Sequence, residues 1–250
     1  MKFAHLADTH LGYRQFGLIE REKDFYEVFD KIIDRIIEEK VDFVIHSGDL
    51  FDNARPSPLA LFTFQKGLIK LKNANIPVYA IAGNHDRLLE DKRLIVEDII
   101  SRYQDNGIVY LKNSSFEYEG LKFYGTPHQP YFCGWAFNVP DFDKLVNIYR
   151  QIPDDVDVLL THCPPYGILD QSHQPHYSNP TGENHLGSME LKEVLAEKNQ
   201  YNNAPRVVAF GHIHGDGGKQ IQIGDTLYIN ASLCDENYDP TNNIITIELS

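Results

Sequence analysis

Five short motifs in the sequence carry side chains that bind metal ions. They are "DTH" at residues 8–10, "GD" at 48–49, "GNHD" at 83–86, "TH" at 161–162 and "GHIH" at 211–214. Imidazole and carboxylate ligands are typical of Zn, Mn and Fe sites, whereas Ca and Mg usually prefer shells made of oxygen alone. The motifs offer more donors than one tetrahedral ion can take, and they suit two ions that share a bridging carboxylate.

The first three motifs each follow a segment that predicts a β-strand. "KFAHLAD", "VDFVIHSGD" and "IPVYAIAGNHD" are apolar runs that end in a motif. Apolar residues at helical spacing predict a helix over residues 19–40, and "PSPLALFTFQKGLIKLKNA" predicts a second helix with Pro near its start. This alternation predicts parallel strands, whose carboxyl ends gather reactive groups at one edge of a sheet.

The second half of the sequence has a different pattern. After Asn106, short apolar runs separated by Gly and Asn predict a half that is mostly sheet, with a helix over residues 189–199. Two of these runs, "VLLTH" and "VVAFGHIH", again end in His. We therefore expect an α/β protein that forms one domain over residues 1–250.

Composition limits the classes of function. The formal net charge is −13, which does not favour binding to a nucleic-acid backbone through basic side chains. The three Cys are far apart and form no CxxC pair, which favours a reducing, cytoplasmic location. The N-terminus reads as a strand and not as a signal peptide, and no apolar stretch approaches the roughly 18 residues of a membrane span.

The ordered set D-x-H, G-D, G-N-H-D, H and G-H-x-H resembles the calcineurin-like metallophosphoesterase superfamily. The resemblance implies a four-layer α/β/β/α sandwich of two mixed sheets flanked by helices, with a binuclear metal centre at the sheet edge. It implies two divalent transition metal ions, Mn²⁺ first, with Fe, Zn or Ni as alternatives. One ion would be held by Asp8, His10, Asp49 and His214, and the other by Asp49, Asn84, His162 and His212.

The same resemblance implies hydrolysis of a phosphoester by in-line attack of a hydroxide that bridges the two ions. Asn84 would bind a metal and stabilise charge on the phosphoryl oxygens. His85 would face the phosphate and stabilise or protonate the leaving oxygen. Asp86 would orient His85.

Two closer resemblances favour different substrates. Residues 1–60, with "ADTHLGYRQFG" and "HSGDLFDNARPSP", resemble the nuclease subunit of the double-strand-break repair exonuclease complex, although that family often has a His where this chain has Asp52. From Gly125 onward, "YGTPHQPYFCGWAFN", "LLTHCPPYGILD" and "FGHIHGDGG" resemble small single-domain phosphodiesterases, some of which hydrolyse cyclic nucleotides. Loops of this kind select the substrate.

We therefore expect hydrolysis of small phosphodiesters, with cyclic nucleotides first. The alternatives are a Mn-dependent DNA nuclease and a non-catalytic metal-binding scaffold. His128 and His185 are candidate substrate contacts, with turn packing as the alternative for His128. Trp135 and Phe137 either stack a base or pack in the core, and the loop 166–188 is either a lid or an ordinary surface loop.

Overall fold

Two mixed β-sheets lie face to face, and helices cover the outer surface of each sheet. The computed structural model describes residues 1–90, 107–174 and 184–249. The expected α/β/β/α sandwich is confirmed. The strands are β1 (Lys2–Leu6), β2 (Phe43–Ser47), β3 (Val78–Ile81), β4 (Ile108–Tyr110), β5 (Ser114–Tyr118), β6 (Leu121–Thr126), β7 (Val158–Thr161), β8 (Val207–Phe210), β9 (Lys219–Ile223), β10 (Thr226–Asn230) and β11 (Ile245–Glu248).

The first sheet has the strand order β11-β1-β2-β3-β4. Strands β1 to β4 are parallel, and β11 from the end of the chain pairs antiparallel with β1. The second sheet has the order β5-β6-β7-β8-β10-β9, with β6, β7, β8 and β10 parallel. The central strands are buried on both faces, which explains why their sequences are continuous apolar runs.

The helices are α1 (Ile19–Glu38), α2 (Pro58–Asn73), α3 (Arg87–Glu90), α4 (Phe142–Tyr149) and α5 (Met189–Gln200). Helices α1 and α2 cover the first sheet, and α4 and α5 cover the second. At the start of α2, Ser57 accepts a hydrogen bond from the Ala60 N–H, and Pro58 follows it, as expected for a helix N-terminus. Apolar side chains pack between each sheet and its helices, and a further apolar layer packs between the two sheets.

Helix α4 is an element that the sequence pattern did not predict. It has eight residues, and Asp141 caps it by accepting a hydrogen bond from the Lys144 N–H at 2.9 Å. Leu145, Val146 and Tyr149 supply its buried face. Two turns offer too few apolar positions for a helical period to stand out from the sequence.

The two sheets converge where their strands end at the carboxyl side. Beyond β1, the Ala7 N–H donates to the Ala231 carbonyl at 3.1 Å, and the Asp8 N–H donates to the Gly48 carbonyl at 3.0 Å. The Ser47 hydroxyl donates across to the Ala209 carbonyl at 3.3 Å. Segments from both sheets therefore meet at one edge. In the described ranges, no helix is long and apolar enough to cross a membrane.

Candidate metal centre

Motifs from both sheets come together at the shared edge in two clusters, and a third group of possible ligands, His10, Asp52 and His85, shares His10 with the first cluster. Asp8, His10 and His214 offer ligand atoms that all lie within 4.8 Å of one another, and Asp49, His162 and His212 do the same. Asp8 follows β1 and Asp49 follows β2, whereas His162 follows β7 and the His212 segment follows β8. The first sheet thus supplies the carboxylates and the second sheet supplies most of the imidazoles.

Asp49 lies between the clusters. Its Oδ2 is 3.3 Å from His162 Nε2, 3.9 Å from His85 Nε2 and 4.0 Å from His10 Nε2. Its other oxygen, Oδ1, accepts the His85 main-chain N–H at 2.9 Å. One carboxylate oxygen is therefore fixed by the backbone, while the other faces imidazoles of both clusters.

Main-chain carbonyls orient three of the imidazoles. Nδ1 of His162 donates to the Ser47 carbonyl at 2.9 Å, Nδ1 of His214 to the Asp235 carbonyl at 3.1 Å, and Nδ1 of His85 to the Asp52 carbonyl at 2.6 Å. This pattern is common among metal-binding imidazoles, because it sets the ring orientation and leaves Nε2 for the ion.

Several buried polar atoms at this edge have no hydrogen-bond partner among the described residues. They include Asp8 Oδ1, both ring nitrogens of His10, and Asn84 Nδ2. The other Asp8 oxygen, Oδ2, accepts the Ser232 hydroxyl at 2.5 Å and the His212 N–H at 2.8 Å. Buried polar atoms are rarely left unpaired without an ion or water. This donor set therefore fits divalent transition metal ions.

The pKa shifts of the buried groups also fit a metal site. Burial alone would raise the pKa of Asp49, but the His162 and His85 imidazoles hold it well below its usual range. Burial lowers the pKa of His162, but the Asp49 carboxylate outweighs burial and raises this pKa to about 9. Burial and neighbouring imidazoles hold the pKa of His10 and of His212 well below the usual value. These two rings are neutral and keep a free lone pair for a metal.

The His162 imidazole contacts the Asn84 amide. His162 Nε2 is 2.8 Å from Asn84 Oδ1, and both atoms are buried. When Nε2 of His162 is protonated, it donates a hydrogen bond to the amide oxygen of Asn84. A bound cation would take the place of that proton, since metal ligation requires the deprotonated imidazole.

The backbone at the centre adopts conformations that ordinary residues avoid. Asp8, His10, Asp49 and His212 all have positive φ, at 53°, 40°, 55° and 71°. Each such residue costs of the order of 1–3 kcal/mol and persists only when the surrounding structure enforces it. Four of the residues expected to bind metal therefore have this strained backbone conformation.

Two glycines leave room for the carboxylates. A Cβ on Gly83 would lie 2.1 Å from Asp49 Oδ1, and a Cβ on Gly211 would lie 2.2 Å from Asp8 Oδ2. The Gly in "GNHD" and the Gly in "GHIH" are therefore required by close approach of a carboxylate to the main chain.

Gly211→Ala should displace the Asp8 carboxylate and lower metal content. We expect at least one ion per chain to be lost and turnover of bis-p-nitrophenyl phosphate to fall by roughly 10–100-fold, the scale for disturbed metal-ligand support. Mass-spectrometric metal analysis and initial rates measure both effects. Gly224→Ala is the matched control, because its Cβ meets nothing within 4 Å, although positive φ costs it about 1–2 kcal/mol of stability. Full metal content in Gly211→Ala would contradict this steric role.

A cavity of about 340 Å³ lies over the two clusters. Its floor carries imidazoles of both clusters together with His85 and Asp49. Part of its lining is aromatic, and another part is polar. The lining residues outside the floor are Gln129, Pro130, Tyr131, Phe132, Trp135, Cys163, Ser172, Gln174, Leu186, Ile213, Glu236 and Tyr238.

The expected role of Asp86 as the residue that orients His85 is wrong. The Asp86 carboxylate accepts hydrogen bonds from the Asp49 N–H at 3.0 Å and the Gly83 N–H at 2.8 Å, so it holds the turn and the Asp49 backbone. The imidazole of His85 is oriented by the Asp52 carbonyl instead. Adjacent residues on a tight turn point in different directions, which sequence adjacency does not show.

Asp52 was noted in the sequence only as a departure from a family pattern. Its carboxylate Oδ1 lies 3.9 Å from Nδ1 of both His10 and His85. Tyr238 was not singled out either, and it packs against the His10 and His214 rings at 5.1 and 4.8 Å. The segment "LYINASLCDENYDP" carries a signal for Tyr238, because several polar residues follow a strand end there.

The two predicted substrate contacts lie outside the described lining of the cavity. His128 Nδ1 is 3.2 Å from Asn113 Oδ1, and burial lowers the pKa of this ring to about 4. His185 Nδ1 donates to the buried Asp170 carboxylate at 2.6 Å. The neighbouring residues Gln129 and Leu186 line the cavity in their place. Residues 175–183 of the predicted lid lie outside the described residues.

A two-sheet α/β sandwich with paired His/Asp clusters at the strand ends defines the class of binuclear metallophosphoesterases. The model of the calcineurin-like phosphoesterase family matches residues 1–216, and the chain belongs to this family. The family and the two clusters together indicate a dimetal centre.

Two kinds of curated relative are similar to different lengths of the chain. The chain is 32% identical over 226 residues to human metallophosphoesterase domain-containing protein 1, covering 83% of this chain and 64% of that protein. It is 58% identical over 86 residues to the DNA double-strand break repair protein Mre11 of Methanococcus maripaludis, covering 34% of this chain and 23% of that protein. The match thus spans less than two thirds of either relative.

Solved structures resemble the fold. A crystal structure of TT1561 of Thermus thermophilus has a TM-score of 0.58 at 14% identity, covering 92% of this chain and 88% of that chain. A dimetal phosphatase from Danio rerio has a TM-score of 0.53 at 12% identity, covering 98% and 91%.

Proposed function

We propose that the chain hydrolyses small phosphodiesters at a dimetal centre, with cyclic nucleotides as the first substrates to test and Mn²⁺ as the first metal. The observation that carries this proposal is the cavity over the two clusters, whose volume of about 340 Å³ falls in the range of small-ligand pockets. A ligand of mononucleotide size has room there beside the candidate metal ligands.

The residues around the cavity have separable roles in this proposal. Asp8, His10 and His214 would hold one ion, Asn84, His162 and His212 the other, with Asp49 between them. Two divalent ions so held supply Lewis acidity toward a phosphoryl oxygen and lower the pKa of bound water.

His85 would donate a proton to the leaving oxygen. Its Nδ1 is bonded to the Asp52 carbonyl, so Nε2 is the nitrogen that meets substrate. Burial lowers the pKa of His85, but Asp49, the Asp52 carbonyl and the Asp52 carboxylate together raise it above the usual value. A protonated ring is the form that acts as a general acid.

The charge of the cavity favours short substrates over long polyanions. Among the described residues that line it, the charged side chains other than His are the carboxylates Asp49 and Glu236. Arg14, a cation near the first motif, is paired with Glu22 at 2.6 Å. Binding of a nucleic-acid backbone usually depends on several Lys or Arg contacts.

Substrate comparison tests the proposal. Metal-loaded protein should give a higher kcat/KM on a cyclic mononucleotide than on a labelled single-stranded or duplex oligonucleotide in the same metal and salt. Chelation with EDTA should abolish turnover, and Mn²⁺ should restore it. Metal binding without turnover of any phosphoester, bis-p-nitrophenyl phosphate included, would favour a non-catalytic scaffold.

A second candidate is a Mn²⁺-dependent nuclease. The observation that favours it is the 58% identity over 86 residues to an Mre11 protein. Oligonucleotide cleavage without turnover of cyclic nucleotides would support the nuclease and overturn the preferred substrate while leaving the dimetal centre in place.

A further inference from the structure

One wall of the cavity is a loop with four aromatic residues, which we call the aromatic loop and define as residues 129–139. Tyr131, Phe132 and Trp135 line the cavity, and Tyr131 and Trp135 are 64% and 36% exposed. Phe137 is buried instead, packed with Ala82 and Ala136 in a small apolar cluster. Phe137 therefore anchors the loop, and the packing of the fold does not account for the exposed rings.

Hydrogen bonds close the aromatic loop and tie it to the metal centre. The Gln129 N–H donates to the Phe137 carbonyl at 3.0 Å, and the Asn138 side chain donates to the Phe132 carbonyl at 2.8 Å. The Ala136 N–H donates to the carbonyl of Asn84 at 3.1 Å. The rings are thus held in a set position relative to a candidate metal ligand before any substrate binds.

Two rings of the aromatic loop contact imidazoles of the metal centre. The Trp135 ring lies 4.6 Å from the His85 ring, and the Phe132 ring lies 5.7 Å from the His212 ring. Phe132 and Trp135 pack edge to face at 5.3 Å. A ligand whose phosphate sits at the clusters therefore places its neighbouring group against this wall.

The lining of the cavity also includes polar groups. Ser172 donates to the Glu236 carboxylate at 2.6 Å, and the Gln174 side chain donates to the Glu236 carbonyl at 2.7 Å. A lining that combines aromatic rings with polar side chains suits a flat group with apolar faces and polar edges. Nucleobases have this chemistry, and they stack on aromatic side chains with little dependence on the identity of the base.

We propose that Tyr131, Phe132 and Trp135 form a subsite for the nucleobase attached to the scissile phosphate. The proposal rests on phosphoester hydrolysis at the dimetal centre and extends it to the group that the substrate must carry. The base belongs either to a mononucleotide or to the terminal nucleotide of a strand.

Trp135 reports directly on this subsite, because it is the one tryptophan in the sequence. In the Mn²⁺-loaded protein, AMP should change the tryptophan emission saturably, whereas ribose 5-phosphate, which lacks the base, should not. AMP should also bind about 10–100-fold more tightly than ribose 5-phosphate, the scale of one stacked base. Equal binding of the two compounds, with unchanged emission for both, would overturn the subsite.

Kinetics on two esters with the same leaving group give a second test. Trp135→Ala should raise KM for the p-nitrophenyl ester of thymidine 5′-monophosphate about 10–100-fold. It should change KM for ethyl p-nitrophenyl phosphate less than twofold, and Trp135→Phe should recover much of the loss. Tyr201→Ala is the matched control, since Tyr201 is 74% exposed and lies outside the cavity lining.

The outcomes separate the subsite from the proposed function. Turnover of both esters with equal effects of Trp135→Ala would overturn the subsite and leave hydrolysis intact. Turnover of neither ester by the metal-loaded wild type would contradict the proposed function, and the AMP titration would then decide base binding on its own. The ratio of wild type to Trp135→Ala on a cyclic mononucleotide and on a short oligonucleotide shows which source of the base the subsite takes.

Discussion

Asp49→Asn is expected to abolish metal binding and activity together. The side chain keeps its shape, but one buried negative charge is lost from a position 3.3–4.0 Å from three imidazoles. The two divalent ions would then have one carboxylate between them, Asp8 at the first ion, and the ligands of the second ion would all be neutral. Metal ions contribute several kcal/mol to phosphoester hydrolysis, so a loss of roughly 10³-fold or more in kcat is expected.

Metal content by mass spectrometry and turnover of bis-p-nitrophenyl phosphate measure this effect. Asp52→Asn is the comparison, since its carboxylate also lies 3.9 Å from His10 and His85 but is not part of the second cluster of Asp49, His162 and His212. We expect this variant to retain both ions. If Asp49→Asn keeps two ions per chain and near-normal turnover, the bridging role of Asp49 is wrong.

In the metal-free protein, Asp49→Asn should also change the titration of His162. The Asp49 carboxylate is the main group that raises the pKa of His162 to about 9 against the opposing effect of burial. Without it, the ring should lose its proton at a lower pH. The imidazole proton shifts in an NMR titration would detect the change, and an unaltered pKa would mean that another charge controls this ring.

His85→Ala should separate metal binding from chemistry. The hydrogen bond from His85 to Asp49 comes from the main-chain N–H, which the substitution retains. Nδ1 of the His85 imidazole is hydrogen-bonded to the Asp52 carbonyl. Nε2 has no hydrogen-bond partner among the described residues. Both ions should therefore stay bound, while kcat falls by roughly 10²–10⁴-fold, as for loss of a general acid.

The leaving group makes this test specific. An ester with a good leaving group such as p-nitrophenol needs little protonation of the leaving oxygen. His85→Ala should therefore lower kcat less for this ester than for a cyclic nucleotide, whose leaving group is an alkoxide. His173→Ala serves as control for removal of an exposed imidazole. Loss of metal from His85→Ala would instead make His85 a metal ligand.

The amino-acid sequence alone determined the ligand types and the fold class. Apolar runs that end in "DTH", "GD" and "GNHD" predicted parallel strands whose carboxyl ends carry carboxylate, amide and imidazole donors. This inference depends on local patterns within one strand and its following turn. Local patterns survive in the sequence because each strand must be buried on both faces.

Only the tertiary structure decided how the donors are supported. Asp8 is held by the Ser232 hydroxyl from 224 positions away, and His162 is oriented by a main-chain carbonyl of Ser47. A main-chain carbonyl belongs to every residue, so no residue type marks it in the sequence. For the same reason, Asp86 was expected to orient His85, and the Asp52 carbonyl does so.

For the aromatic loop, the sequence likewise identified the aromatic residues, and the tertiary structure decided which of them is buried. From the sequence, base stacking and core packing were both open for Trp135 and Phe137, since both are aromatic and lie two positions apart. In the fold, Phe137 is 2% exposed and anchors the loop, whereas Trp135 lies against His85 in the cavity. Which ring is buried depends on how the second sheet packs against the first, because that packing sets the surface on which the loop rests.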